Sequence, residues 1–390
     1  MNILFFLANK ADPRSGGTER VYDNLARYLS SFDYGCYCFV SLPSEYDDES
    51  YYKKIFVSRD RKINYRNTLP ELQDIVDRYK IDVVVCAYPQ YPEFTKIMSG
   101  LRDVRVICHL HNTPDELYNK KDGYPKGLRF LQKSFIAQKL TIIWNKLSNR
   151  GLVSLVRNGA DVIVLSPSYI RHLQDIFPIP TDSIAAIPNP FNISESFDLS
   201  SVKKEKVLLY VGRMNSLQKR VDLLLIIWKK LQNELPDWKL VLVGDYGHGR
   251  FVRLAKVMGL ERVEFVGYKD PTEYYKKASA LCMVSAYEGF PMVIPEAMQF
   301  GCIPFVFDSF PAVRDMIDDG RNGFVIPVSR VGRYIKFFLK SGIARYCEAL
   351  MTFAAKPESE LLPLRKDAIE KSRVFDVENV WAQWNALLNK

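Results

Sequence analysis

Apolar residues along this 390-residue chain gather in short runs separated by longer amphipathic stretches. In the first half, Met1 to Ala8, Tyr37 to Leu42, Ile81 to Ala87, Val104 to Leu110 and Asp161 to Leu165 read as strands. Between them, Val21, Leu25, Tyr28 and Leu29 mark one helical face, and further helices are predicted around Pro70 to Tyr79 and Ser168 to Phe177. Strands separated by helices specify a parallel sheet. A second series follows the turn Ile187-Pro188-Asn189-Pro190 and the serine-rich stretch Asn192 to Glu205. It runs through strands Val207 to Val211, Leu240 to Val243, Val263 to Val266, Leu281 to Val284 and Ile303 to Phe307, with a helix from Val221 to about Leu231. Arg321 to Pro327 reads as a turn and short strand. Helices complete the chain, the last over Val377 to Leu388 with an apolar stripe of Val380, Trp381, Trp384 and Leu387 that needs a partner surface. The expected organisation is an α/β domain over 1–192, a linker over 193–205, a second α/β domain over 206–372 and a closing helix within 373–390.

Length supports this division, because one core rarely grows to such a size. Apolar content of 47% with 25% charged residues is that of a folded chain. The apolar start is read as a buried strand, since it lacks a basic leader and a small-residue cleavage site. No apolar run is long enough for a transmembrane helix. Seven cysteines without CxxC spacing favour reduced thiols in a cytosolic protein. A net charge of +9 implies an acidic partner: phosphate, a membrane surface or nucleic acid. The cations are dispersed and accompany no DNA- or RNA-binding motif, which disfavours nucleic acid.

The most informative stretch is Leu281 to Asp308, read as strand, loop, helix and strand. Glu288 sits on the loop and Glu296 near the first helical turn, so both can reach one ligand whose anionic part rests on N–H groups near Met292 and Val293. The loop after the first strand ends in Gly16-Gly17 at a helix start. That pair allows positive φ and close backbone approach to a ligand, or is simply a turn. The strand ending near Cys108 delivers His109 and His111 to one side. Metal binding lacks further ligands there; a hydrogen-bonded strand-end histidine, or His111 at a ligand crevice, remains. Arg213 and Lys219 follow a strand at its C-terminal edge, where they suit a diphosphate. GDYGHG, from Gly244, is not the dinucleotide-binding fingerprint. Between Lys126 and Ala160 no acidic residue occurs. Lys126, Arg129, Lys133, Lys139, Lys146, Arg150 and Arg157 alternate there with Phe130, Phe135, Ile143 and Trp144. Residues 126–157 therefore fit a helix lying on an anionic bilayer, or an ordinary surface helix.

These motifs, in this order, resemble the retaining GT-B glycosyltransferases of family four (glycosyl transferases group 1): the Gly16-Gly17 loop, His111, Asn189, Gly212-Arg213 with Lys219, and Glu288-Gly289-Phe290-Pro291 through Glu296 as an E-x7-E signature. The resemblance covers nearly the whole chain. It implies two Rossmann-like parallel-sheet domains facing each other across an interdomain cleft, with the C-terminal helix packing back on the first domain. It further implies that Arg213 and Lys219 neutralise a donor diphosphate, Glu296 anchors the ribose and Glu288 faces the transferred sugar. Gly289, Phe290, Pro291, Met292 and Val293 would hold sugar and phosphate through backbone N–H groups, Gly16 and Gly17 would approach the diphosphate, and His111 would lie near the reacting centre. Arg220 departs from the glycine common at its position. The activity implied is transfer of a hexose-type sugar from a nucleotide-sugar, UDP-linked by expectation, to a membrane-associated glycan or lipid-linked acceptor in envelope polysaccharide synthesis. No cofactor or metal is expected, because Arg, Lys and a helix N-terminus can stabilise the leaving group. Attack by Glu288 and same-face entry of the acceptor both retain configuration. A cytoplasmic protein peripheral on the inner membrane face is the matching location. A scaffold subunit that binds sugar nucleotides, or an epimerase of the same fold, are the rivals.

Overall fold

Apolar runs without alternation require cover on both faces, which parallel sheets flanked by helices provide. The computed structural model describes residues 1–14, 16–45, 50–114, 150–191, 197–214, 218–245, 249–328 and 335–390. The chain divides into two units, Met1–Pro190 with Val380–Lys390, and Phe191–Asn379.

The first unit holds a seven-stranded sheet in the order β3-β2-β1-β4-β5-β6-β7. Its strands are β1 (Asn2–Phe6), β2 (Gly35–Val40), β3 (Lys54–Val57), β4 (Val83–Cys86), β5 (Arg105–His109), β6 (Asp161–Val164) and β7 (Ile184–Ala186). Every pairing is parallel. The order reverses between β1 and β4, which opens a crevice beyond their C-terminal ends. The edge strands β3 and β7 are only four and three residues long and partly exposed, too short for their apolar residues to mark a strand. The helix Pro92–Gly100 also carries no long stripe.

Val380, Trp384, Leu387 and Leu388 of the last helix, Val377–Leu388, are buried in one core with Ile3, Phe5, Leu25 and Leu29. Trp381 is only partly buried and stacks on Phe32, with ring centroids 5.7 Å apart. Arg105 fixes this end of the sheet, bonding Asp161 at 2.6 Å and the Leu388 carbonyl at 3.1 Å.

Of the basic stretch 126–157, residues 126–149 lie outside those described. The remainder forms the helix Arg150–Arg157, whose Leu152, Val153, Leu155 and Val156 are buried. A Cβ added at Gly151 would lie 2.5 Å from Thr95 Oγ1, so this helix packs closely on Pro92–Gly100. The apolar face of 150–157 is thus used within the unit, which withdraws it from the membrane expectation.

The expected linker lies outside the described residues as far as position 196. Asp198 then caps a short turn, Leu199–Ser201, and the second sheet begins at Glu205. Its order is β10-β9-β8-β11-β12-β13. The strands are β8 (Glu205–Val211), β9 (Lys239–Val243), β10 (Val263–Gly267), β11 (Ala278–Met283), β12 (Ile303–Phe307) and β13 (Phe324–Ile326), again all parallel. The reversal here falls between β8 and β11. Beyond β9, Gly244 takes φ 137° and passes so close to Gly212 that an added Cβ would lie 2.1 Å from the Gly212 carbonyl oxygen. Glycine alone satisfies both conditions. Among the described residues no helix is long and apolar enough to cross a membrane. All seven cysteines are buried and free.

Arg365, on the helix Glu358–Ser372, is fully buried. It donates to the carbonyls of Gly301 (2.8 Å) and Ser279 (3.2 Å) and to Glu358 (2.9 Å), tying that helix to the start of β11 and to the turn before β12. Arg365→Leu should lower stability by about 2–4 kcal/mol, because buried acceptors lose their donor. Urea unfolding checks this, and an unchanged midpoint would contradict it. Arg220 precedes the helix Val221–Leu231 with φ 49°, ψ 43°, the left-handed region in which a Cβ is disfavoured by roughly 1–2 kcal/mol. Arg220→Gly should therefore be more stable than Arg220→Ala by about 1 kcal/mol. Equal melting temperatures for the two variants would refute the strain.

Candidate active site

The second unit's site grows out of its sheet order. β8 and β11 lie side by side at the reversal, so the loops after them meet. The first loop carries Arg213, Gln218, Lys219 and Arg220; the second carries Ser285 to Met292. Backbone joins them directly, the Ala286 N–H donating to the Gln218 carbonyl at 2.7 Å. The Gln218 amide then donates to the Tyr287 carbonyl at 2.8 Å and to Glu288 Oε2 at 3.3 Å. Lys219 Nζ stands 2.7 Å from Glu288 Oε1. The ion pair is largely removed from water, with side chains 19% and 9% exposed.

The chemistry of this arrangement is specific. Each Glu288 oxygen has a donor, one of them cationic, as a desolvated carboxylate requires. Tyr210 donates to the Arg213 carbonyl at 3.2 Å, and its phenol is pushed up by burial and then by the Glu288 charge. Arg213 itself is exposed. The structure thus brings together Lys219 and Glu288, which sequence reasoning had assigned to separate tasks. Gln218 was not singled out, because nothing in a polar loop announces a side chain that bridges two loops.

Glu296 is half-buried on the helix Val293–Met298, where it accepts from the Tyr275 hydroxyl at 3.1 Å. Gly289, Phe290, Pro291 and Met292 are the buried part of the loop, with Phe290 set edge-on against Phe375 at 5.3 Å. The helix has six residues. Few aligned peptide dipoles add up over that length, so the side-chain cations are the main positive charge expected here.

Gly16, Gly17 and His111 belong to the first unit. Gly16 is extended, with φ −172° and ψ 171°, and Gly17 opens the helix Gly17–Ser30, so the pair does not exploit left-handed backbone. A Cβ at Gly16 would instead lie 2.4 Å from Glu19 Oε2, whereas one at Gly17 would meet nothing within 4 Å. Glu19 is buried and accepts from the Tyr88 hydroxyl at 3.0 Å. Tyr88 follows β4, so these two side chains mark the reversal between β1 and β4. Nothing in the residue order singles out Glu19, which reads as an ordinary first-turn acid.

His111 and His109 are both buried, their rings 4.0 Å apart. Burial holds both imidazoles neutral, pulling His111 down to about 3 and His109 well below its ordinary value. Between them stands the Tyr22 hydroxyl, 2.9 Å from His111 Nε2 and 3.0 Å from His109 Nδ1. Tyr22 was expected only as part of a helix. Among the described residues no group of three or more His, Cys, Asp or Glu is arranged to hold a metal ion.

Comparison with known proteins places this geometry. Residues 15–195 match the family model Glycosyltransferase Family 4, and residues 192–350 match Glycosyl transferases group 1. An uncharacterized glycosyltransferase of Haemophilus influenzae is 32% identical over 403 residues, covering 99% of each chain. A lipopolysaccharide 1,6-galactosyltransferase of Salmonella typhimurium is 32% identical over 155 residues, covering 37% of this chain and 42% of its own. Among solved structures, Anabaena HepE in complex with UDP and glucose superposes with a TM-score of 0.72 at 18% identity, covering 100% of this chain and 99% of that one. The two all-parallel sheets are those of the GT-B fold, and the chain belongs to the group 1 glycosyltransferases of the family 4 type.

Proposed function

We propose that the protein is a retaining, metal-independent glycosyltransferase. It moves a hexose-type sugar from a UDP-linked donor to a membrane-associated glycan or lipid-linked acceptor in envelope polysaccharide synthesis. The observation that carries this reading is the meeting of Lys219 with Glu288 at the reversal between β8 and β11, with Arg213 on the same loop as the lysine. A departing diphosphate accumulates negative charge, and fixed cations stabilise that charge as it forms. Arg213 offers a planar fork and Lys219 a point charge. To engage the phosphate, Lys219 exchanges its partner. Glu288, still held by Gln218 on its other oxygen, then faces the transferred sugar.

Glu296 anchors the ribose hydroxyls in this reading, with Tyr275 fixing one of its oxygens. The backbone of Gly289 to Val293 binds sugar and phosphate oxygens. His111 lies near the transferred sugar, and the open space beside Gly17 admits the diphosphate. HepE, of like fold, was solved with UDP and glucose, which supports the donor. The Salmonella relative is a lipopolysaccharide 1,6-galactosyltransferase, which supports the acceptor class. The basic residues of 126–149 and the net charge of +9 support action at the cytoplasmic face of an anionic membrane.

A panel of nucleotide-sugars scored for hydrolysis and thermal stabilisation identifies the donor, since ligand binding raises the melting temperature by mass action. Glu288→Gln should lower transfer by about 100-fold, the scale of a lost preorganised contact. It also removes the anion that competes for Lys219, so calorimetry should find UDP bound as tightly as before or more tightly. Undiminished transfer would remove Glu288 from the chemistry, and weakened UDP binding would remove the competition. Joint replacement of Arg213 and Lys219 by Ala should abolish both activities; full activity there defeats the assignment. Exhaustive treatment with EDTA should leave the rate unchanged, and a loss restored by Mn²⁺ or Mg²⁺ would refute metal independence.

A further inference from the structure

Tyr22 stands on the helix Gly17–Ser30 with its ring fully buried, and its hydroxyl touches His109 through Nδ1 and His111 through Nε2. A phenol has one proton to give. If Tyr22 donates to His111, then His109 must donate to the phenolic oxygen, and both rings carry their proton on Nδ1. If Tyr22 donates to His109, then His111 donates to the oxygen, and both rings carry it on Nε2. In a third arrangement both imidazoles donate to Tyr22, leaving its own O–H buried without an acceptor at a cost of roughly 1–3 kcal/mol. Because Tyr22 meets the δ nitrogen of one ring and the ε nitrogen of the other, the two satisfied arrangements give matching tautomers.

We infer that Tyr22 is a positioning residue that locks the tautomers of His109 and His111 together, and thereby sets whether His111 Nδ1 donates to a ligand hydroxyl or accepts from it. Nδ1 of His111 is the ring atom left for this purpose: it is buried and has no hydrogen-bond partner among the described residues. His109 Nε2 is in the same position at the far end of the chain of contacts. The His109 ring lies edge-on to Trp384 of the last helix, centroids 5.4 Å apart. The consequence for turnover rests on the transferase reading; the tautomer match does not.

The test starts from protein labelled with ¹⁵N-histidine and carrying His172→Gln and His248→Gln, which leaves two of the four imidazoles in the spectrum. Their ring-nitrogen shifts should report the same neutral tautomer twice. One Nδ1–H ring beside one Nε2–H ring, or an imidazolium, overturns the lock. This measurement needs no change at Tyr22 and no activity. Tyr22→Phe should then release the match and lower kcat by about tenfold, the scale of modest misalignment, with donor KM within about threefold. Unchanged kcat in a folded Tyr22→Phe protein would overturn the positioning role even if the spectrum shows matched rings.

Discussion

Parallel pairing in both sheets is the constraint from which the site follows. Because every strand points the same way, all loops that can bear chemistry leave one edge, and only where strand order reverses do two neighbouring loops diverge enough to admit a ligand. In the second unit that place lies between β8 and β11, and the two loops there supply Lys219 and Glu288. In the first unit it lies between β1 and β4, where Glu19 and Tyr88 stand. The geometry of each pair is dictated by connectivity before any side chain is chosen. Gly244 and Gly212 show how tight the packing at such an edge is, since one missing Cβ lets two turns touch.

Both units bury carboxylates at these positions, and each is satisfied locally. A desolvated Glu288 without Lys219 and Gln218 would be costly, so the protein holds its own counter-ion where an anionic ligand is expected. The pair therefore has two uses of one lysine in competition. Stability favours the internal partner, and binding must supply a better one. Such an exchange ties ligand affinity to the charge of a residue that need not touch the phosphate.

Much of this was legible from residue order. The apolar runs announce β1, β4, β5, β8, β9, β11 and β12 because buried strands carry no alternation, and the proline-bounded loop at Glu288 announces its turn. The short edge strands β3 and β7 are not legible, because three or four residues are too few to show a pattern. At the site, residue types placed Glu288, Lys219 and Arg213 on the right loops. They did not disclose that Gln218 bridges those loops, that Glu19 folds back over Gly16, or that Tyr22 joins two imidazoles. Each of those depends on a contact between residues distant in sequence or on a rotamer. The Gly16-Gly17 pair is legible as a helix start, but left-handed backbone is not its use: Gly16 yields space to the Glu19 carboxylate. At Arg220 the backbone adopts the strained conformation although the sequence provides no glycine there.

The last helix has a consequence for synthesis. Val380, Trp384 and Leu387 belong to the same core as Ile3 and Phe5, yet the whole of 191–379 is translated between them. Domains usually fold as they emerge, first residues first. Here the first sheet leaves the ribosome with its apolar surface around Leu25 and Leu29 uncovered, and it must wait for an entire second unit before that surface closes. The core of the first unit is thus completed by the last segment of the chain to be made, after the whole of the second unit.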